Sequence, residues 1–66
     1  MERSTFENAA EQYQDMAYRI ALHYFGNPYD AEDAVQEVFL RLYLREGPFD
    51  SPEHLRRWLI RVTVNV

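Results

Sequence analysis

Three sets of side chains in this 66-residue chain have types and spacing that could do chemistry. The first is Asp30, Glu32 and Asp33. Clustered carboxylates can serve as general acid and base, or hold a hard cation. Here they stand where a helix is expected to open, so capping and the positive end of the helix dipole account for them. The histidines add nothing catalytic: His23 and His54 fall in different elements, there is no cysteine, and no His-x-x-His or His-x-x-x-His spacing occurs. Gly26 and Gly47 each stand in a helix-stop context rather than in a phosphate-cradling loop. The chain is therefore read as a non-enzyme, with no catalytic residue, no metal and no cofactor expected.

The second set is Arg56, Arg57 and Arg61, followed by Asn65. Arginine bonds phosphate bidentately and stacks on bases, and an asparagine amide can read a base edge. The formal charge of −4 argues against a nucleic-acid partner at first, but it is unevenly placed. Four acids and two arginines give −2 over residues 1–29, and five acids and two arginines give −3 over 30–46. Two acids and three arginines leave +1 over 47–66, and all seven cationic groups are arginine. Simple solvation of an exposed helix face also explains such a cluster.

The third set lies on the helix expected over residues 30–45. Val35, Val38, Phe39 and Leu42 follow the i, i+3, i+4, i+7 spacing of a core-facing stripe. Leu40, Tyr43 and Leu44 are left over, and counting back from them leads to Gln36, Glu37 and Asp33. A second stripe mixing carboxylates, an amide and large apolar groups points to a docking surface. The plainer alternative is extra core in a small domain with 15% aromatic residues.

These groups must be positioned by helices. The first is expected to start near Ser4, with Glu7 completing a capping box, and to carry Phe6, Ala9, Ala10, Tyr13, Met16, Ala17, Ile20, Ala21 and Tyr24 inward. Gly26-Asn27-Pro28 should end it. Asp30 is expected to cap the second helix, with Glu32 and Asp33 in its first turn and Arg45 complementing its negative end before Gly47-Pro48. Ser51-Pro52 should open the third, whose apolar stripe is Leu55, Trp58, Leu59, Val62 and Val66. The β-branched run Val62-Thr63-Val64 favours a strand locally, but the upstream spacing is helical and no partner strand exists. The fold class is thus all-α, a compact three-helix domain spanning 1–66. The pattern breaks off without a stop signal, as in a piece of a longer protein. There is no signal peptide at the start and no stretch of membrane-spanning length, so a cytoplasmic domain is expected.

Asp30-Ala-Glu-Asp-Ala-Val-Gln-Glu-Val-Phe-Leu-Arg-Leu, with Leu55-Arg-Arg-Trp-Leu-Ile-Arg-Val-Thr-Val-Asn65 following, resembles conserved region 2 of bacterial RNA polymerase sigma factors. The likeness is to the extracytoplasmic-function class (group IV of the sigma-70 family) and runs from about Phe6 to Val66. It implies a transcription initiation domain whose second helix docks on the clamp helices of the polymerase β′ subunit. The matching positions are Asp33, Gln36, Glu37, Leu40 and Tyr43. It further implies that the third helix and the preceding loop recognise and melt the −10 promoter element, holding an unpaired base of the non-template strand. Carried over by position, Phe49, Asp50, Ser51 and His54 belong to the base-capturing loop, and Arg57, Arg61 and Asn65 face DNA. Pro52, Glu53 and Arg56 stand where the family favours small or aromatic residues. Trp58 lies on the Leu55, Leu59, Val62 stripe and is expected in the core, with base stacking as the alternative. The resemblance also implies an anti-sigma factor as a partner and a separate −35-reading region 4 domain, which these residues do not contain.

Two other functions fit the same composition. A helical protein-interaction module with no nucleic-acid role explains the acidity and the two-striped second helix. A stand-alone helix-turn-helix duplex binder fits less well, because the last connection is long for that motif and the domain is acidic.

Overall fold

In the computed structural model, which describes residues 1–66, helix α1 spans Arg3–Phe25, α2 Pro28–Leu44 and α3 Pro52–Asn65. The long dimension of 32 Å is close to the length of α1, about 34 Å for a helix of that size. All three expected helices form, α3 continuing through its β-branched end, and the fold is all-α.

The caps differ from expectation at two of three starts. Ser4 does not cap α1. The helix begins at Arg3 behind Glu2, whose side chain makes no capping bond. Arg3 takes the carboxylate intended for the box: its Nε donates to Glu7 Oε1 at 2.9 Å, while Ser4 Oγ turns back to the Glu2 carboxylate. Asp30 does not cap α2 either. Asn27 does, its Oδ1 accepting from the Asp30 N–H at 2.9 Å while its Nδ2 donates to Asp30 Oδ2 at 2.7 Å. Pro28 occupies the first helical position, where its missing N–H costs nothing. Glu32 and Asp33 therefore lie a turn further in than expected, where the dipole has faded, and Asp33 is left exposed.

Gly26 closes α1 in the left-handed region (φ +82°), its N–H donating to the Leu22 carbonyl at 2.9 Å. Nothing lies within 4 Å of where a Cβ would sit, so only the backbone conformation calls for glycine there. Ser51 caps α3 as expected, its Oγ accepting from the His54 N–H at 3.1 Å.

The core comprises Ala9, Tyr13, Ala17 and Ala21 of α1, Ala31, Ala34, Val35, Val38, Phe39 and Leu42 of α2, and Leu59 of α3. Fully covered alanines on both α1 and α2 let those two backbones approach closely, and their packing is the most extensive of the three pairs. Tyr24, expected on the inward stripe, is exposed, and so is Val66, which lies just past the end of α3. Thr63 is buried instead, its hydroxyl donating to the Leu59 carbonyl at 2.6 Å. That bond removes the cost of a buried hydroxyl and lets the β-branched carbon pack.

Candidate functional surfaces

The expected second stripe of α2 lies outside the core. Leu40 is 53% exposed, Tyr43 43% and Leu44 66%, so the surplus does not cover extra core. Asp33 and Gln36 are exposed on the same face, and Glu37 is half-buried. Arg41 Nε meets Glu37 Oε1 at 3.3 Å, one turn along. An exposed pair of this kind contributes little to folding and is easily exchanged for an intermolecular one.

The first helix supplies a part of this face that sequence reasoning assigned to the core. Phe6 is only half-buried, and its ring meets Tyr43 edge-on at 5.1 Å and Phe39 at 6.4 Å. An open groove runs between α1 and α2, with Phe6, Gln36, Phe39, Leu40 and Tyr43 in its walls. The Phe6 ring thus packs against one side of Tyr43. The chain start closes the same end of α2, the Met1 ammonium donating to the Tyr43 and Arg45 carbonyls at 3.1 and 3.4 Å.

The segment between α2 and α3 is built differently. Phe49 is half-buried and already packed: its ring meets His54 edge-on at 5.1 Å and Trp58 edge-on at 5.8 Å, and the Arg45 guanidinium sits 4.0 Å from its centroid. His54 Nδ1 accepts from the Asp50 N–H at 3.1 Å. The Asp50 carboxylate approaches the same ring nitrogen at 3.8 Å. The Asp50 side chain is otherwise free, whereas Ser51 spends its hydroxyl on the cap. Trp58 packs against the core and Phe49, as its place on the stripe implies.

Along α3, Arg57, Arg61 and Asn65 recur every fourth residue and are all exposed, so the helix brings them to one line. Arg57 is engaged by Glu53 one turn earlier, Nη1 to Oε1 at 3.5 Å, while Arg61 forms no salt bridge. Beside the loop lies a cleft of about 870 Å³, walled on one side by Thr5, Asn8 and Gln12 of α1 and on the other by residues 45–52. No sequence signal marked it, because its walls lie some forty residues apart in the chain. No three His, Cys, Asp or Glu side chains come together as a metal site, and His23 lies on α1, away from His54. No helix is long and apolar enough to cross a membrane.

An α1–α2 hairpin with an open mixed stripe is joined through a loop to a third helix that carries exposed arginines. The Sigma-70 region 2 family model matches residues 9–66, and the chain belongs to that family. Two curated relatives are sigma factors of the extracytoplasmic-function (ECF) class. The chain is 31% identical over 65 residues to the ECF RNA polymerase sigma factor SigW of Bacillus subtilis, covering 98% of this chain and 35% of that protein. It is 36% identical over 62 residues to the ECF RNA polymerase sigma factor SigE of Mycolicibacterium smegmatis, covering 94% of this chain and 24% of that protein. The chain thus spans about a third and a quarter of the lengths of these two relatives. No solved structure gives a significant match.

Proposed function

We propose that this chain is the core-binding and −10-recognising domain of an extracytoplasmic-function sigma factor, acting in transcription initiation rather than in catalysis. Asp33, Gln36, Glu37, Leu40 and Tyr43 dock on the β′ clamp helices of RNA polymerase. The carboxylates and amide pair with basic and polar groups of the clamp, and Leu40 and Tyr43 supply the desolvated contact. The loop residues Phe49, Asp50, Ser51 and His54, with Arg57, Arg61 and Asn65, engage the non-template strand of the −10 element and hold it unpaired. An anti-sigma factor would act by covering these two surfaces, and a −35-reading domain belongs elsewhere in the protein. The site of action is the cytoplasm, where polymerase and promoter are.

The observation that carries this reading is the exposure of Leu40, Tyr43 and Leu44 beside Gln36 on a helix whose opposite stripe fills the core. Binding of the chain to a β′ clamp-helix fragment tests it, comparing the parent with a Gln36→Ala, Glu37→Ala double variant of unchanged helicity. Binding by the parent and its loss in the variant are expected. A folded parent that does not bind would defeat the proposal. The net charge of −4 favours the second reading, a helical interaction module without a nucleic-acid role. In that case clamp binding persists while Arg57→Ala and Arg61→Ala leave single-strand binding unchanged.

A further inference from the structure

Residues 46–50 donate to or accept from no other backbone group: the only backbone bonds flanking them run from the Arg45 N–H to the Leu42 carbonyl and from the Leu55 N–H to the Ser51 carbonyl. A segment of this kind keeps one shape only if side chains hold it. Five contacts do so. Arg45 Nη1 donates to the Gly47 carbonyl at 3.0 Å, the Arg45 guanidinium carbon lies 4.0 Å from the Phe49 ring centroid and 5.8 Å from that of Trp58, the Asp50 N–H donates to His54 Nδ1, and the Phe49 ring meets His54 and Trp58 edge-on. Two of the five belong to Arg45. Its backbone closes α2, but its guanidinium has crossed into the loop, so it does not complement the α2 dipole in the way its position in the sequence predicts. It forms no salt bridge, and its charge is met by a carbonyl oxygen and two ring faces.

We propose that Arg45 is a positioning residue for strand recognition: its guanidinium, held by the Gly47 carbonyl and the Phe49 ring, braces residues 46–50 against Trp58 and presents Asp50 and His54 to an unpaired strand in one arrangement. This rests on the reading of the loop and α3 as the strand-binding surface. Arg45 itself touches no nucleotide. The docking helix thereby ends in the side chain that orders the DNA-facing loop, which places the two surfaces in a fixed relation.

Trp58 is the single tryptophan and reports on the brace directly. The test uses the full chain bound to a β′ clamp-helix fragment, with a labelled single-stranded oligonucleotide of randomised sequence. Arg45→Lys keeps the charge and loses the planar fork, and Arg45→Met keeps the stem and loses both. Arg45→Met should make Trp58 more accessible to acrylamide and weaken oligonucleotide binding about threefold to tenfold, the range of a partly desolvated cation–π contact. Arg45→Lys should show a smaller loss of the same kind. Clamp binding should stay within about twofold of the parent in both, against the tenfold per 1.4 kcal/mol scale of a lost contact. Because the guanidinium meets no phosphate, the dependence of affinity on salt should keep its slope, whereas Arg61→Ala should lower it by about 0.7. Parent-like quenching and affinity in Arg45→Met would overturn the proposal, and so would a slope reduced as in Arg61→Ala, which would make Arg45 a phosphate contact. A parent that binds clamp but no oligonucleotide defeats the strand-binding reading and the presentation role with it. The quenching of Trp58 in that case still decides whether the brace exists.

Discussion

The outer face of α2 and the 45–58 region carry comparable numbers of candidate residues, yet they are assembled on opposite principles. On α2 the side chains point outward because the helix period puts them there once Val35, Val38, Phe39 and Leu42 have turned inward. Beyond the Arg41–Glu37 pair and the Phe6–Tyr43 edge contact they have no partners. In the 45–58 region half of the side chains engage one another: Phe49 with Arg45, His54 and Trp58, Ser51 with the α3 start, and Arg57 with Glu53. A surface made by periodicity survives wherever its helix survives. A surface made by contacts is shaped in advance and can be lost one contact at a time. The first suits a partner helix, which brings its own regular face; the second suits a flexible strand, which must be given a shape to fit.

Four variants probe that contrast. The largest effect is expected from Leu59→Ala. Leu59 is the one large apolar side chain of α3 with no exposure, and its truncation should cost about 2–5 kcal/mol in urea unfolding. Because α2 buries six residues and α3 two, strand binding should fail before clamp binding does. Equal loss of both would show that the two regions are one cooperative unit. Next is Leu40→Ala with Tyr43→Ala, expected to weaken clamp binding at least tenfold, about 1.4 kcal/mol or more, since large side chains dominate such contacts. The unfolding midpoint should move little, because both residues stand largely outside the core. A large stability loss would mean that this face is structural. Ser51→Ala should cost about 1 kcal/mol, the usual worth of a cap, and speed hydrogen exchange at the His54 amide. The smallest effect is expected from Glu53→Ala. It frees Arg57 at a stability change within about 0.5 kcal/mol, the scale of an exposed pair, and should raise oligonucleotide affinity slightly in titrations at low salt. A drop in affinity would place Glu53 among the recognition residues.

How much of this could be read from the sequence follows the same divide. The three helices, the core stripe of α2 and its exposed second stripe are periodic features, and periodicity is local. Caps are local too, but two signals competed at Asn27: Gly26 and Pro28 flank it as a stop, and the same asparagine and proline are a cap and a first helical residue. Weighing the stop alone moved the start of α2 to Asp30. Thr63 entered the core because a threonine hydroxyl can be satisfied within its own helix, which hydropathy does not register. The place of Phe6 beside Tyr43 and the cleft along Thr5, Asn8 and Gln12 depend on residues distant in sequence, and no spacing rule reports them.

Only Gly26 and Asn27 separate α1 from α2. A helical hairpin with so short a link closes through contacts near in sequence, and such contacts form early, on the microsecond scale of helix formation. The closed end of the hairpin, around Ala21, Ala31 and Ala34, can therefore form first, and the Phe6–Tyr43 contact at its open end, between residues far apart in the chain, closes the groove after it.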